Sequence, residues 1–413
     1  MPDFERPFLV VDRGDRPPAE VIEFGRGRLW QARALAVGLL TVVLAFGIAG
    51  EPQARAPAPT PGSDTAPPLI ETRPAPVSIK LPPIALDLPG RVAMFDVGPT
   101  GYAALATADC DDGPHCTGGL AVSHDLRHWQ RRPLPPGSLK YGVPIPMVLG
   151  DGVVLLQSFQ HEHRAWYSGD GGRSWRAAPT TTGPVTADAS SGRLMVETLD
   201  QPGAGLCDAT RLVVYQRATG QRAPLRRQPH LRACPGQSLA DPAGRIMVAG
   251  LEATYDHVAV VAESTDFGAH WRITRLTGTG AAGHVHLTSN GRDPYAVVYG
   301  FPESSSASVI AAFLRTGDFW TPVWRAHGSE PAGIDQVIVC PGGLLLATWW
   351  LSDVDHGSRL MFTRNHGEDW YLAERLAGIF ATALPDGDGW YGWYHNHPVY
   401  SRDCEHWYGL PVG

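Results

Sequence analysis

The sequence predicts an all-β protein folded as a β-propeller, and three observations carry that expectation. A short Ser/Thr-Asp-Gly-Trp turn recurs, and its Trp residues step by 46, 96, 49, 50 and 37 positions. The step of 96 is two periods, so the repeat lies near 48 residues, the length of a propeller blade. The 47 Gly, 37 Pro and 13 Trp of the 413-residue chain suit many short strands separated by tight turns. Residues 84–413 also divide into seven parts of about 47 residues each. Seven four-stranded blades is the expectation; six with a swapped closing strand is the alternative.

The turn is clearest in Tyr167–Trp175, YSGDGGRSW. Ser168 and Asp170 can hold a turn closed through nearby backbone N–H groups. Gly172 admits a left-handed backbone, and Trp175 adds a large apolar anchor. Ser264, Asp266, Gly268 and Trp271 keep the spacing, and Thr363, Asn365, Gly367 and Trp370 keep it with softer residues. Two sets, Ser123, Asp125, Trp129 and Ser401, Asp403, Trp407, are one residue shorter. Asp318 and Trp320 form a worn remnant, while Tyr215–Arg222 sits where a copy is due but lacks Asp and Trp. All of these residues are expected to be structural.

This pattern resembles the Asp-box (BNR) repeat of sialidase-like β-propellers, Ser-x-Asp-x-Gly-x-Thr-Trp, with Ser174 and His270 in the Thr place. The resemblance spans roughly residues 84–413 and implies blades with the turn between their third and fourth strands. A true sialidase would further use three arginines on the sialate carboxylate, a Tyr nucleophile with a Glu partner, and an Asp acid. Its first arginine opens an Arg-Ile-Pro motif, whereas Arg91 here is followed by Val92 and Ala93.

From the N-terminus, residues 1–33 read as a cytoplasmic tail. Arg26, Arg28 and Arg33 precede the apolar run 34–50, whose 17 residues would span about 25 Å as a helix. Arginines on that flank place it on the cytoplasmic side. An uncleaved single-pass signal anchor is the expectation, with a cleaved signal peptide as the rival. Residues 51–83, rich in Pro and Ala, read as a disordered, semi-stiff stalk holding the propeller outside the cytoplasm. The propeller, 84–413, should begin with strands Arg91–Val97, Tyr102–Ala108, Gly118–Ser123 and His128–Arg132. Its worn third blade should use Val185–Ala189, Arg193–Thr198, Arg211–Arg217 and Arg222–Arg227.

Six cysteines outside the membrane suggest disulfides, with 15 possible connectivities. Sorting the loops onto two faces offers Cys110–Cys116, Cys207–Cys234 and Cys340–Cys404.

The formal net charge of −7, with only 18% charged residues, argues against a nucleic-acid partner. Polar chemistry gathers instead in the loops between second and third strands. His161, Glu162 and His163 lie there, as do Asp256 and His257, then Asp353, Asp355 and His356, then His395 and His397. His284 and His286 open blade five, and Trp349, Trp350 and Tyr394 stand nearby. Aromatic faces beside carboxylates and imidazoles suit sugar rings and their hydroxyls, so these histidines and aromatics are the candidate ligand-binding residues. The pairs His161/His163, His284/His286 and His395/His397 have the strand spacing of a metal pair, but no third ligand is indicated, and no metal or cofactor is expected. Glu162, Asp256, Asp335, Asp353 and Asp355 are the candidate carboxylates if the protein is a glycoside hydrolase. Without the Arg-Ile-Pro motif the reading favours a membrane-anchored binding module for a glycan, cell-wall component or envelope protein, with a glycosidase as the alternative.

Overall fold

The computed structural model describes residues 71–81, 86–110, 116–158, 164–179, 186–198, 207, 210–234, 238–240, 244–255, 257–290, 292–300, 309–326, 334–350, 358–365, 367–384, 389–395 and 397–410. The expected tail, membrane helix at 34–50 and most of the stalk lie outside these residues. Among the described residues no helix is long and apolar enough to cross a membrane.

Seven separate sheets, antiparallel apart from two added edge strands, follow one another along the chain, which makes a seven-bladed propeller. Blade one is Arg91–Val97, Ala103–Cys110, Cys116–Ser123 and Trp129–Arg132, each strand within two residues of its expected start. Blade two runs from Ile145–Gly150 to Arg176–Ala177. Blade five is Ala282–Ser289, Pro294–Gly300, Val309–Thr316 and Phe319–Arg325. Blade six begins at Ile334–Val339 and ends at Tyr371–Ala377. Blade seven begins at Ile379–Ala383 and ends at His406–Gly409. The antiparallel strands of each sheet come from one contiguous stretch, so the six-blade alternative with a swapped closing strand is not adopted.

The core lies between the blades. Strand residues alternate between two faces, and each face of a blade packs on a neighbour. Val97, Leu105 and Ala121 of blade one meet Leu384, Tyr391 and Tyr400 of blade seven, which closes the ring. Phe95 adds edge-on contacts to Tyr391 and Trp393, with centroids 5.2 and 5.6 Å apart. Equivalent clusters fill the gaps between blades two and three, four and five, and five and six.

Blade three departs from the expected layout. Its strands are Gly192–Thr198, Thr210–Gln216 and Arg222–Pro224. In the described part of the segment expected as the inner strand, 186–189, Ala187 instead bridges in parallel to Leu225, beyond the third strand. Two hydrogen bonds to backbone on either side of Leu225, at 2.9 Å each, hold it there. Blade four keeps an inner strand, but in two pieces, Leu231–Ala233 and Leu239–Ala240.

The segment read as stalk also ends earlier than 83. Thr72–Arg73 adds in parallel to the outer strand of blade six, and Ser78–Lys80 to that of blade seven. Val77 sits between them, buried in the apolar cluster of blades six and seven. Pro-rich composition disfavours a core, but a sheet edge needs only backbone N–H and C=O groups at alternate residues.

All three expected disulfides form: Cys110–Cys116, Cys207–Cys234 and Cys340–Cys404. The first closes a hairpin loop and the last ties blade six to blade seven.

Candidate functional site

The repeated turns define one face. In blade two the Ser168 hydroxyl donates to Asp170 Oδ1 at 2.8 Å and accepts the Gly172 N–H at 2.8 Å. Asp170 Oδ1 also accepts the N–H groups of Arg173 and Ser174, while its Oδ2 takes the Ser174 hydroxyl at 2.6 Å. Blade four repeats this around Ser264 and Asp266, with His270 Nδ1 on the second oxygen at 2.5 Å. In blades one and seven His128 and His406 take that place. Blade six reverses the partners: Asn365 donates through Nδ2 to Asp369 at 2.9 Å. The turn requires one carboxylate and one donor, and either position can supply either.

The indoles of four turns find backbone carbonyls, while that of Trp370 in blade six has no hydrogen-bond partner among the described residues. In two of the three longer turns, Trp175 and Trp271 donate to Pro133 and Arg227, carbonyls at the end of the preceding blade. In the shorter ones Trp129 and Trp407 donate back to Leu126 and Cys404 at their own turn tips. The worn copy does neither. Asp318 lies 3.5 Å from Arg272 and 3.7 Å from Arg315, and Trp320 donates to Glu263, buried between blades four and five. Burial alone would raise the Glu263 pKa, but hydrogen bonds from Arg315 and Arg272 outweigh it and hold the carboxyl below its usual range.

On the same face two contacts join blades that are not neighbours. Trp390, fully buried, donates its indole N–H to the Ser289 carbonyl at 3.1 Å, from blade seven to blade five. Beside it Arg193 of blade three pairs with Asp96 of blade one through both terminal nitrogens. The Val148 N–H, at 2.7 Å, also binds Asp96. Burial opposes the Arg193 charge, but Asp96 and Tyr391 more than restore it.

Only some of the candidate ligand-binding residues fall among the described ones. His161, Glu162, His163, Asp256, Asp353, Asp355 and His356 lie outside the described residues. Asp335 and Trp350 fall on strands Ile334–Val339 and Leu345–Trp350 of blade six. Trp349 is half-buried, paired between Ile334 and Arg359. Tyr394 and His395 meet edge to face at 4.7 Å, at a tight hairpin where His395 has φ +52° and His397 is exposed. His257, at φ +66°, lies 3.2 Å through Nδ1 from the Ala282 carbonyl, and its own carbonyl accepts the Ala282 N–H. It therefore clamps the loop of blade four to the entrance of blade five.

His284 and His286 are inside the fold. Both are 7% exposed, and His284 stacks on Tyr299 with ring centroids 4.0 Å apart. Burial, reinforced for His284 by the neighbouring His286, pushes their pKa values down to about 3 and about 4. Both are neutral rings at pH 7. The structure thus brings His257 beside the strand that carries His284 and His286, and Tyr394 beside His395 and His397. Among the described residues no three His, Cys, Asp or Glu side chains gather as a metal site.

One polar cluster escaped the sequence reading. Between blades two and three, Tyr215 donates to Glu197 at 2.7 Å, with Arg222 Nε 3.2 Å from the same carboxylate. Burial, then Glu197, raises the Tyr215 pKa well above the usual phenol value. Its members come from different strands, and no local motif announces them.

No protein-family model matches the chain, and no curated protein matches its sequence. Among solved structures it is similar to YCF48 bound to D1 peptide, at 13% identity over 82% of this chain and 87% of that one, TM-score 0.33. It is also similar to the GH74 xyloglucanase from Xanthomonas campestris, at 17% identity over 77% of this chain and 47% of that one, TM-score 0.32. This chain thus spans about half the length of that enzyme. A third is an Aleuria aurantia lectin in complex with Fucα1-6GlcNAc, at 11% identity over 68% of this chain and 93% of that one, TM-score 0.34. At this distance the likeness bears on neither ligand nor activity.

Proposed function

We propose that the propeller is a binding module that takes a glycan, a cell-wall component or an envelope protein on the face opposite the repeated turns. The supporting observation is the asymmetry of the two faces. On the turn side, the repeated Asp and Ser side chains are committed to closing hairpins. The loops between second and third strands carry polar residues that no repeated turn motif claims, and functional groups tend to sit on loops carried by a rigid frame.

The same proposal includes a single membrane-spanning helix at 34–50 with the propeller outside the cytoplasm. The arginine-flanked apolar run supports it, as do three disulfides, which persist in oxidising compartments. Protease added to intact cells should release the propeller; full protection of that domain would defeat this topology.

The second reading is a sialidase-like glycosidase, favoured by the Tyr215–Glu197 pair, since that resemblance implies a Tyr nucleophile with a Glu partner. Its weakness is physical. A Tyr that is only 6% exposed, with its pKa raised, is a poor nucleophile. Binding and hydrolysis should be measured together on one glycan panel with the full chain. Binding without turnover supports the module; turnover that disappears in Tyr215→Phe establishes the enzyme.

A further inference from the structure

Resting on the anchored reading above, we infer that the turn face of blades four to six lies on the lipid surface of the membrane that holds residues 34–50. Phe267 and Phe319 are its contact points.

The first support is the path of the chain. Thr72–Arg73 pairs in parallel with Leu372–Ala373, and the strand Tyr371–Ala377 starts at the repeated turn of blade six and runs away from it. A parallel partner shares that direction, so the chain arrives at blade six from the turn side. The arrival is fixed: the Leu372 N–H donates to the Glu71 carbonyl at 3.0 Å, and the Arg73 guanidinium sits 3.9 Å over the Tyr371 ring. Ser78 repeats the geometry in blade seven, donating its N–H to the Glu405 carbonyl beside that blade's turn at 2.8 Å. Only the 20 residues 51–70 separate the apolar run from this entry. Of the two faces, the turn face is the one the anchor reaches first.

The second support is what that face displays. Phe319 is 74% exposed and Phe267 38% exposed, on the turn tips of blades five and four, beside the blade where the chain enters. Phe267 also occupies a position that favours glycine. Its φ is +58°, and the corresponding residue of blade two is Gly171 at φ +70°. In blades one and seven Leu126 and Cys404 hold the same conformation, but both are buried, so packing offsets the strain. Phe267 holds it while open to solvent. A bulky ring kept outward on a left-handed backbone points to a contact beyond the chain.

The polar surroundings fit a lipid boundary. Arg245 and Arg292 are exposed in the links between first and second strands of the same two blades. Aromatic rings with guanidiniums beside them suit the boundary between headgroups and acyl chains. Asp266 and Asp318 stand on the same two tips, so cations are not in excess and the surface matches zwitterionic lipid. The face opposite the turns is then presented away from the membrane, open to the partner proposed above.

The test uses the full chain in phosphatidylcholine vesicles doped with a lipid that bears a nitroxide on its headgroup. Single thiols labelled with bimane report proximity to the lipid: Thr265→Cys and Asp318→Cys on the tips, His397→Cys on the opposite face. Quenching should be several-fold stronger at 265 and 318 than at 397. Phe267→Gly with Phe319→Ser removes both rings and relieves the left-handed backbone. In that background quenching at 318 should fall towards the level at 397, while the melting temperature holds or rises. A lower melting temperature would assign Phe267 to the fold and overturn its contact. Equal quenching at all three positions overturns the lipid contact while leaving the anchor standing, and stronger quenching at 397 reverses the orientation. Release of the chain from the vesicles by alkaline carbonate removes the anchor itself, and the contact with it.

Discussion

Trp390 on blade seven donates its indole N–H to the Ser289 carbonyl on blade five at 3.1 Å. Two blades that are not neighbours are thereby joined on the turn side. Replacing the fully buried indole removes this hydrogen bond and leaves a void. Trp390→Phe should lower stability by on the order of 1–3 kcal/mol, read as a shift of the urea midpoint without a change of slope.

Asp170→Ala should also destabilise, by on the order of 1 kcal/mol, since it strips partners from the Ser168 and Ser174 hydroxyls and two backbone N–H groups that water can partly replace. Blade six supplies a sharper test. Asp170→Asn combined with Ser174→Asp would recreate its reversed Asn365–Asp369 pair, and should be more stable than Asp170→Asn alone. Equal stability of the two would refute the interchange of donor and carboxylate.

The turn carboxylates also set an acid limit. Hydrogen bonds from Ser174 and the nearby backbone hold the Asp170 pKa down to about 2 against a small opposing effect of burial. Its folded value lies below the unfolded one, so this stabilisation is present above about pH 4 and lost as pH falls through about 2.

His284 and His286 act earlier on the same axis. Their folded pKa values, about 3 and about 4, lie below the unfolded imidazole value. As pH falls below about 6.5 the unfolded chain takes up protons that the folded one refuses, so stability declines towards pH 4. Between pH 7 and 4.5 each ring should remove on the order of 2 kcal/mol. His286→Gln should flatten that decline in urea titrations at the two pH values; an unchanged slope with pH would place the imidazole in contact with water.

Reduction should separate the disulfides. Cys340–Cys404 closes a loop of 64 residues and Cys110–Cys116 one of 6, which by loop entropy correspond to about 4 and about 2 kcal/mol. Cys340→Ser with Cys404→Ser should therefore lower the melting temperature more than Cys110→Ser with Cys116→Ser.

Much of this was legible in the sequence. The Trp spacing and the Ser-Asp turns gave the blade count because a repeat writes the same local chemistry many times. Face sorting by strand order was enough to pair all six cysteines. Blade three was misread in its inner strand, since Ala187 reaches its place through a parallel bridge to Leu225 that no alternation announces. The edge strands at Thr72–Arg73 and Ser78–Lys80 were hidden for a similar reason: backbone pairing on a sheet edge leaves little trace in side-chain pattern. At the site, His-x-His spacing did place His284 and His286 on one face, but spacing cannot report burial. Glu197, Tyr215 and Arg222 come from three strands and meet only in the fold, so no local motif could announce them.

The central claim is that the working face lies opposite the repeated turns, and one face can be blocked at a time. All six cysteines are in disulfides, so a single introduced thiol can be labelled cleanly with a bulky maleimide. His397→Cys places the label on the proposed working face, and Phe319→Cys, 74% exposed at a turn tip, places it on the other. Capture on a glycan array that includes cell-wall fragments should be lost when position 397 is labelled and retained when position 319 is labelled. Loss only on labelling position 319 would contradict the account.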